Sequence, residues 1–401
     1  MNQNDNMATL NEQVFAKKSH PPVSIILVNY NGLKWLQLCL HSLLDTDYPD
    51  FEILVVDNAS TDGSVDYLER NYSDRIRVIK LDENLGFCEG CNIGFRKSRG
   101  EIIALLNTDV EVDNKWLRSA VEKLQSSENV GSVQCKMMQY ANKRIIDCTG
   151  LSVDGHGLVA KIGEGEIDHG QYDGLPEIWA SSGGAMIVWR HILAKVGLFD
   201  PMYFLYYDDV DLSWRIRLLG YKNLPDPSSI VYHMGSATTR TVPSSFIIFH
   251  STKNHISSWL KNYSLGSLIT KMPMLSALVI GSLILELLHG RFGHFKARVK
   301  SLIWVLRSIN YILNERQKVQ HMIRRVSDSM VFTNGEYNNS SSNVRYVRKL
   351  NSGYFKSLIV SILFLCENEY GSHLTYPWSK WINWLQINEN NQRHISCVWH
   401  L

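Results

Sequence analysis

Four apolar runs between residues 23 and 107 decide the fold, and they read VSIILVNY (23–30), EILVVD (52–57), IRVIKL (76–81) and IIALLN (102–107). Each run is short, rich in β-branched residues and nearly free of polar ones, which is typical of strands buried on both faces of a sheet. The segments between them have helical spacing or helix-start residues. The sequence therefore predicts an α/β fold with a Rossmann-like, mostly parallel central sheet covered by helices.

The bulk composition excludes several classes of protein. The chain has 401 residues, of which 45% are hydrophobic and 20% charged, as expected for a globular protein of one or two domains. A formal net charge of +2 is too small for a dedicated nucleic-acid binder, which needs a clustered basic face. Cys88 and Cys91 lack a second pair or a nearby His pair to complete a zinc site. Residues 1–20 lack the apolar segment of a secretory signal, so we expect a cytoplasmic location.

The second half of the chain contains a further ordered block and then a strongly apolar run. AMIVW (185–189) predicts a strand, and LSWRIRLLG (212–220) predicts a helix that ends at its glycine. The run Met274–Leu288 contains Glu286 and is shorter than the roughly 20 apolar residues that cross a bilayer. We expect an interfacial or buried helix here rather than a membrane span.

The C-terminal tail has a second apolar run, Ser357–Cys366, followed by tryptophans at helical spacing: Trp378, Trp381 and Trp384. Tryptophan beside lysine is typical of a membrane surface, but an aromatic stripe at this spacing is equally typical of an ordinary core. Both interpretations of the tail stay open.

Acidic residues follow two of the predicted strands. Asp57 closes the second strand, and Asp109 follows the fourth by two residues. Ligands of parallel sheets bind beyond the carboxyl ends of the strands, so both side chains belong at the ligand edge. Asn107, Asp109, Glu111 and Asp113 supply hard oxygen ligands that suit Mg²⁺ or Mn²⁺. A capping Asp57 and a solvated acidic loop are the alternatives.

A second acidic group, Asp208, Asp209 and Asp211, lies just before or within the first turn of the predicted helix. Carboxylates at this position can cap the helix and interact favourably with its dipole. One of them could instead act as a general base on a hydroxyl group. His233 is a possible metal ligand, although a single histidine is more often structural.

Taken in order, the motifs from Val23 to Asn262 resemble the family 2 inverting glycosyltransferases, specifically the rhamnosyltransferase-like branch that builds bacterial surface polysaccharides. VSIILVNYNG is similar to the family's first strand and nucleotide loop, VVDNASTDGS to its base-binding segment, and NLGFCEGCNIGF to the lining of its donor pocket. The resemblance implies that the nucleotide sugar contacts Asn29, Asn31, Asp57, Asn84, Gly86, Asn92 and Asn107.

The remaining motifs are similar to the family's metal and acceptor segments. LLNTDV resembles its metal motif, with Asn107 where many relatives have Asp, so Asp109 is the implied acidic ligand and His233 of VYHMGSAT the second. YYDDVDLSWR resembles the block whose second acid is the general base, which is Asp209 here, beside Asp208 where relatives usually have Glu. The implied acceptor-side residues are Trp179, Gly183, Gly184 and Asp211.

The resemblance implies an A-type glycosyltransferase fold with a helical, membrane-proximal C-terminal extension. We expect a disordered segment over residues 1–20, a catalytic domain over 21–262, a membrane-associated helical region over 263–330, and a tail of unknown role over 331–401. The implied reaction moves a sugar from a nucleotide-sugar donor to a hydroxyl of a glycan or lipid-linked acceptor. It proceeds with inversion, is assisted by Mg²⁺ or Mn²⁺, and takes place on the inner face of the plasma membrane.

Three other functions are weighed against this one. A dinucleotide-dependent oxidoreductase needs G-x-G-x-x-G after the first strand, where this chain reads NYNGLKW. A processive polysaccharide synthase resembles this chain more closely, but such relatives carry a Gln-x-x-Arg-Trp motif and several long membrane spans, which we do not find in the sequence. A non-catalytic, membrane-associated nucleotide-sugar-binding protein would be favoured by loss of the metal or base Asp, and both are present.

Overall fold

A sheet of nine strands runs through the residues described by the computed structural model, which are 19–154, 158–235 and 242–333. In chain order the strands are β1 (Val23–Asn29), β2 (Phe51–Asp57), β3 (Arg77–Lys80), β4 (Ile102–Leu106), β5 (Val110–Val112), β6 (Val130–Gln139), β7 (Ile146–Cys148), β8 (Leu151–Val153), β9 (Val159–Lys161), β10 (Ala185–Trp189) and β11 (Lys222–His233). Strands β8 and β9 form a separate antiparallel ribbon.

Helices cover both faces of the sheet and continue beyond it. They are α1 (Leu33–Leu44), α2 (Ser64–Tyr72), α3 (Gly86–Lys97), α4 (Trp116–Leu124), α5 (Arg190–Val196), α6 (Asp208–Leu218), α7 (Ser244–Asn262), α8 (Leu265–Leu288), α9 (Phe292–Arg307), α10 (Ile309–Lys318) and α11 (Asp328–Thr333), with a π-helical turn at Val319–Ile323. The predicted disordered segment up to residue 18, the run 357–366 and the tryptophans at 378, 381 and 384 lie outside the described residues.

The strand order is β3-β2-β1-β4-β10-β6-β11-β5, with β7 beside β6. The first four strands are parallel, as the apolar runs predict. Beyond β4 the sheet is mixed, because β10 is antiparallel to both of its neighbours, β4 and β6. The predicted Rossmann-like α/β fold is confirmed, and β6 and β11 form a further parallel pair in the second half. The antiparallel strands of that half were not predicted, since the composition of a strand does not record its direction.

The small residues of α3 allow this helix to lie directly on the sheet. A Cβ atom at Gly94 would lie 2.5 Å from the Ile26 side chain, and one at Gly90 would lie 2.8 Å from Val28. Cys88 and Cys91 fill the remaining space as buried thiols, and burial raises the pKa of both well above the usual range. These cysteines therefore act as small core residues, and α3 positions its N-terminus at the carboxyl ends of β1 and β2.

Candidate active site

Most of the predicted site residues lie at one edge of the sheet because of the strand directions. Strand β10 runs opposite to β4, so that its first residue, Ala185, pairs with the last residue of β4, Leu106. Strand β11 runs parallel to β6, and its C-terminal residue His233 pairs with Val110 of β5. The ends of β1, β2, β4 and β11 and the start of β10 therefore share this edge.

The loops after β1 and β2 are joined by a network of side-chain hydrogen bonds. The Asn29 amide donates to Asp57 Oδ2 at 2.9 Å, and the Ser60 backbone N–H donates to Asp57 Oδ1 at 2.8 Å. Asn31, in the left-handed region at φ 50°, accepts from the Thr61 backbone N–H at 2.8 Å. Asn29 and Asp57 are buried, and Asn31 is exposed at the rim. Three of the predicted nucleotide-binding residues thus form one braced surface.

The predicted donor-pocket residues Asn84 and Gly86 lie at the start of α3, and Asn92 lies in its second turn. The Gly86 N–H donates to Asn84 Oδ1 at 2.9 Å, and Gly86 has φ +85° with no room for a Cβ, which would lie 2.5 Å from the Phe204 ring. The Asn92 amide donates to the Phe199 carbonyl at 3.0 Å, and its Oδ1 accepts from the Phe199 N–H at 3.1 Å. Asn92 therefore fastens α3 to the segment before the acidic run.

Asp109 and His233 face each other, with 3.4 Å between Asp109 Oδ1 and His233 Nε2. The other imidazole nitrogen, Nδ1, lies 3.0 Å from Asp147 Oδ2, and Lys161 Nζ lies 3.4 Å from Asp147 Oδ1. Burial alone would lower the pKa of His233, but hydrogen bonds to the two carboxylates raise it to about 9. The sequence patterns did not indicate Asp147 or Lys161. The single Asp in the segment RIIDC could have indicated Asp147, because it stands among apolar residues.

The donor set of this pair fits a Mg²⁺ or Mn²⁺ ion. A separation of 3.4 Å is close to the roughly 3.0 Å between neighbouring ligands of an octahedral ion with ligands near 2.1 Å. Asp147 holds Nδ1, which leaves Nε2 directed at the Asp109 carboxylate, and binding of the ion would displace the proton from Nε2. No cluster of three or more His, Cys, Asp or Glu ligands occurs within residues 19–154, 158–235 and 242–333. Magnesium usually takes one or two carboxylates and completes its shell with water and substrate phosphates, so two protein ligands suffice.

The acidic pair Asp208–Asp209 begins α6 and has unequal surroundings. Asp209 Oδ2 accepts from the Gly183 N–H at 3.1 Å, and Oδ1 accepts from the Val210 N–H at 2.8 Å. Burial raises the pKa of Asp209, whereas these backbone donors favour its ionised form. Burial, and next the charge of Asp209, raises the pKa of Asp208 well above the usual range. The two acids therefore favour different protonation states, with Asp209 the one that ionises first.

Two consecutive glycines connect Asp209 to the metal loop. Gly183 donates to Asp209, and the Gly184 carbonyl accepts from the Asn107 N–H at 3.0 Å. The positive charge of Lys161 also acts on both Asp147 and Asp209. The candidate base and the candidate metal pair thus belong to one connected arrangement.

The segment that leads into α6 has a strained backbone. Phe204, Tyr206 and Tyr207 all have φ between 66° and 68°, which costs roughly 1–2 kcal/mol for each L-residue. Buried Asn254 of α7 donates to three carbonyls of this segment: Tyr203 at 3.1 Å, Leu205 at 2.9 Å and Tyr206 at 2.7 Å. Lys253 Nζ adds a bond to the Met202 carbonyl at 2.7 Å. Helix α7 therefore holds the segment that leads into the acidic pair.

Asp211 and Trp179, both predicted on the acceptor side, are buried in the core. Arg215 Nε donates to Asp211 Oδ2 at 2.9 Å, the Asn262 amide donates to Oδ1 at 2.9 Å, and Lys261 Nζ lies 3.3 Å away. Burial would raise the pKa of Asp211, but Lys261 and Arg215 lower it to about 2. Trp179 packs edge-on against Trp214, with ring centroids 5.5 Å apart. Asp211 therefore joins α6 to α7, and Trp179 packs against α6 through Trp214.

Part of the chain is similar to a known family and to known proteins. Residues 24–147, which include Asn29, Asp57, Asp109 and Asp147, match the family described as Glycosyl transferase family 2. The putative teichuronic acid biosynthesis glycosyltransferase TuaG of Bacillus subtilis is 34% identical over 105 residues, which cover 26% of this chain and 40% of TuaG. The O-antigen biosynthesis protein RfbC of Myxococcus xanthus is 29% identical over 232 residues, 55% of this chain and 18% of RfbC. The chain spans less than half the length of either relative.

Among solved structures, the crystal structure of GalNAc-T7 with UDP, GalNAc and Mn²⁺ superposes with a TM-score of 0.52 at 18% identity, covering 73% of this chain and 58% of that one. The A-type glycosyltransferase fold predicted from the sequence is confirmed, as is the helical C-terminal region.

Proposed function

We propose that this protein is an inverting glycosyltransferase of the rhamnosyltransferase-like branch, which moves a sugar from a nucleotide-sugar donor to a hydroxyl of a glycan or lipid-linked acceptor. The observation that carries the proposal is the arrangement around Gly183 and Gly184, which joins Asp209 to the loop of Asn107 and Asp109. A base and a leaving-group site must lie on one ligand edge for a single displacement. The names of TuaG and RfbC, which refer to teichuronic acid and O-antigen biosynthesis, favour a bacterial surface polysaccharide as the product.

Asp209 is the general base in this mechanism. Its carboxylate takes the proton of the acceptor hydroxyl while the hydroxyl oxygen forms a bond to the anomeric carbon of the donor. The bond from that carbon to the nucleotide diphosphate breaks in the same step, and the configuration inverts because there is one displacement. Backbone donors from Gly183 and Val210 hold the carboxylate, and a positioned base is typically worth about 10²–10⁴-fold in rate.

Asp208 remains protonated while Asp209 acts, because a second charge at this buried position is unfavourable. A neutral carboxylic acid can donate a hydrogen bond, so Asp208 would orient the acceptor rather than remove its proton. Gly183 and Gly184 keep the adjacent surface open for the acceptor.

Asp109 and His233 would hold the metal, and Asp147 would orient His233. A bound Mg²⁺ or Mn²⁺ ion would stabilise the negative charge of the departing diphosphate. On the donor side, the nucleobase would lie on the surface formed by Asp57 and Asn29, with Asn31 at the exposed edge of that surface. Asn84 and Gly86 fix the start of α3, and the positive end of the helix dipole there would favour a phosphate.

A screen of nucleotide sugars tests the proposed function. We expect one nucleotide class to raise the melting temperature of the protein in the presence of Mn²⁺, and the matching nucleotide sugar to be transferred or slowly hydrolysed. The product from a lipid-linked acceptor should contain one added sugar with inverted configuration. A long polymer would favour a processive synthase, and binding without turnover for every donor would favour a non-catalytic protein.

The metal assignment has its own test. In calorimetry, Asp109→Ala should lose Mn²⁺-dependent nucleotide affinity, and Asp147→Asn should weaken it by roughly 10–100-fold through the orientation of His233. Asp66→Asn, which removes an exposed acid from the first turn of α2, serves as the control. Unchanged Mn²⁺-dependent affinity in Asp109→Ala would assign the metal to another group.

A further inference from the structure

Helix α8 has a second apolar face that remains exposed among the residues that the structure describes. One face, with Met274, Leu275, Leu278, Ser282 and Glu286, packs inward, and Leu275 belongs to the same hydrophobic core as the sheet. On the opposite side Ile280 and Ile284 are 55% and 51% exposed, and Leu287 and Leu288 continue the surface. Residues 272–285 contain no charged side chain. Isolated exposed apolar residues are ordinary, but a continuous apolar face indicates an interaction site.

Helix α9, which contacts α8 through Glu286, has an exposed basic and apolar face of its own. After the turn at Gly290, the exposed residues Phe292, Lys296, Lys300, Ile303 and Arg307 recur every three or four positions, which places them on one side of the helix. The whole of α9 contains no acidic residue. Apolar side chains interleaved with lysine and arginine are typical of a helix that lies in the headgroup region of an anionic bilayer.

From these two faces we infer that α8 and α9 form a docking surface for a lipid bilayer with anionic headgroups, and that they lie in its plane. The apolar side chains of α8 and Phe292 enter the boundary between headgroups and acyl chains. Lys296, Lys300 and Arg307 face the lipid phosphates, and the charge complementarity identifies the partner as a membrane rather than a neutral protein surface.

The surroundings of α8 argue against a helix that crosses the bilayer. Its 24 residues would span about 36 Å, and it is the one helix in the described ranges that is long and apolar enough for a span. However, Arg298 of α9 lies 3.5 Å from Glu286, and His294 lies 3.4 Å from the same carboxylate. A crossing α8 would carry these charges and the α9 lysines toward the hydrocarbon, which is costly. Docking in the plane leaves them in water or among headgroups.

Vesicle co-sedimentation of the full chain tests the inference, and it requires no transferase activity, so its outcome is independent of the proposed reaction. We expect binding to phosphatidylcholine vesicles that contain phosphatidylglycerol, and much weaker binding to phosphatidylcholine alone. Ile280→Glu with Ile284→Glu should reduce binding more than tenfold. Lys296→Gln with Lys300→Gln should remove roughly fivefold per lysine from anionic vesicles only.

The matched control is Ile167→Glu, an isoleucine of similar exposure outside α8 and α9, which should bind like the wild type. The lysine substitutions are on the surface and keep the test valid if the isoleucine variant does not fold. Wild-type binding by both double variants would overturn the assignment. So would resistance of the membrane-bound protein to alkaline carbonate extraction, which indicates a span, or a dimer that dissociates in the isoleucine variant, which indicates that a second copy covers the face.

Discussion

At the scale of single residues, two neighbouring acids at the start of α6 have different surroundings. Asp209 receives two backbone N–H groups, whereas Asp208 faces the charge of Asp209 within a buried environment. Sequence alone identifies both as candidates but cannot rank them by environment, since Gly183, which stabilises Asp209, is 26 positions away in the chain.

This difference predicts a pH profile. Because the pKa of Asp209 is raised, the base stays protonated to a higher pH than an ordinary Asp, whose pKa is about 4. The acid limb of kcat/KM should therefore have its midpoint above pH 4, and Asp208→Asn should keep this limb and most of the activity, since it replaces one neutral group by another. A loss of transfer in Asp208→Asn as large as that in Asp209→Asn would show that Asp208 is the ionised base.

Asp211 gives a second prediction at this scale, for stability. Its folded-state pKa of about 2 lies below the unfolded value, so its contribution is present above pH 4 and is lost as the pH falls toward 2. The difference in unfolding free energy between wild type and Asp211→Asn should shrink by about 2 kcal/mol between pH 6 and pH 2. Urea titrations at several pH values measure it, with Asp66→Asn as the exposed control. A pH-independent difference would contradict the ion-pair account.

At the scale of elements, α7 supports the active site without contributing a predicted catalytic group. It holds the left-handed segment 204–207 through Lys253 and Asn254, and it holds Asp211 through Asn262 and Lys261. The segment would relax without these bonds, because three L-residues with positive φ are unfavourable unless their surroundings hold them.

These bonds from α7 predict the effect of Asn254→Ala. The partly buried carbonyls of Leu205 and Tyr206 lose the Asn254 donor, whereas the Tyr203 carbonyl keeps Lys253 Nζ at 3.3 Å. Each carbonyl left unpaired should cost roughly 1–3 kcal/mol of unfolding free energy. In the folded fraction kcat should fall, because the start of α6 is no longer held in place. The KM for the donor should stay the same, because the loops after β1 and β2 are unchanged. The exposed Asn71, which donates to Tyr67 O at 2.8 Å, gives the control Asn71→Ala. A variant with lower stability and unchanged kcat would limit Asn254 to a purely structural role.

Element by element, the sequence predicts the first half of the molecule best. Strands β1, β2 and β4 are continuous apolar runs, and their observed ends differ from the predicted ones by at most one residue. The short strands β5, β7, β8 and β9 carry three residues each, too few for a period to be recognised. The burial of Asp211 could not be foreseen, because its partners Lys261 and Asn262 are about fifty positions later in the chain.

At the scale of the whole molecule, α8 packs on the same hydrophobic core as the strands that carry the candidate site, since this core includes Leu275 of α8. An enzyme fixed in this way to an anionic bilayer would meet a lipid-linked acceptor at a constant distance from its base. The membrane surface and the acceptor class therefore support each other, although each has a separate test.

The central claim is that Asp209 removes the proton of the acceptor, and the rate of sugar transfer by Asp209→Asn at saturating donor tests it most directly. The amide keeps the shape of the side chain, so donor affinity and melting temperature should match the wild type, as they should in the Asp66→Asn control. The transfer rate should fall by about 10²–10⁴-fold. A rate within a few-fold of the wild type, with donor affinity intact, would contradict the account.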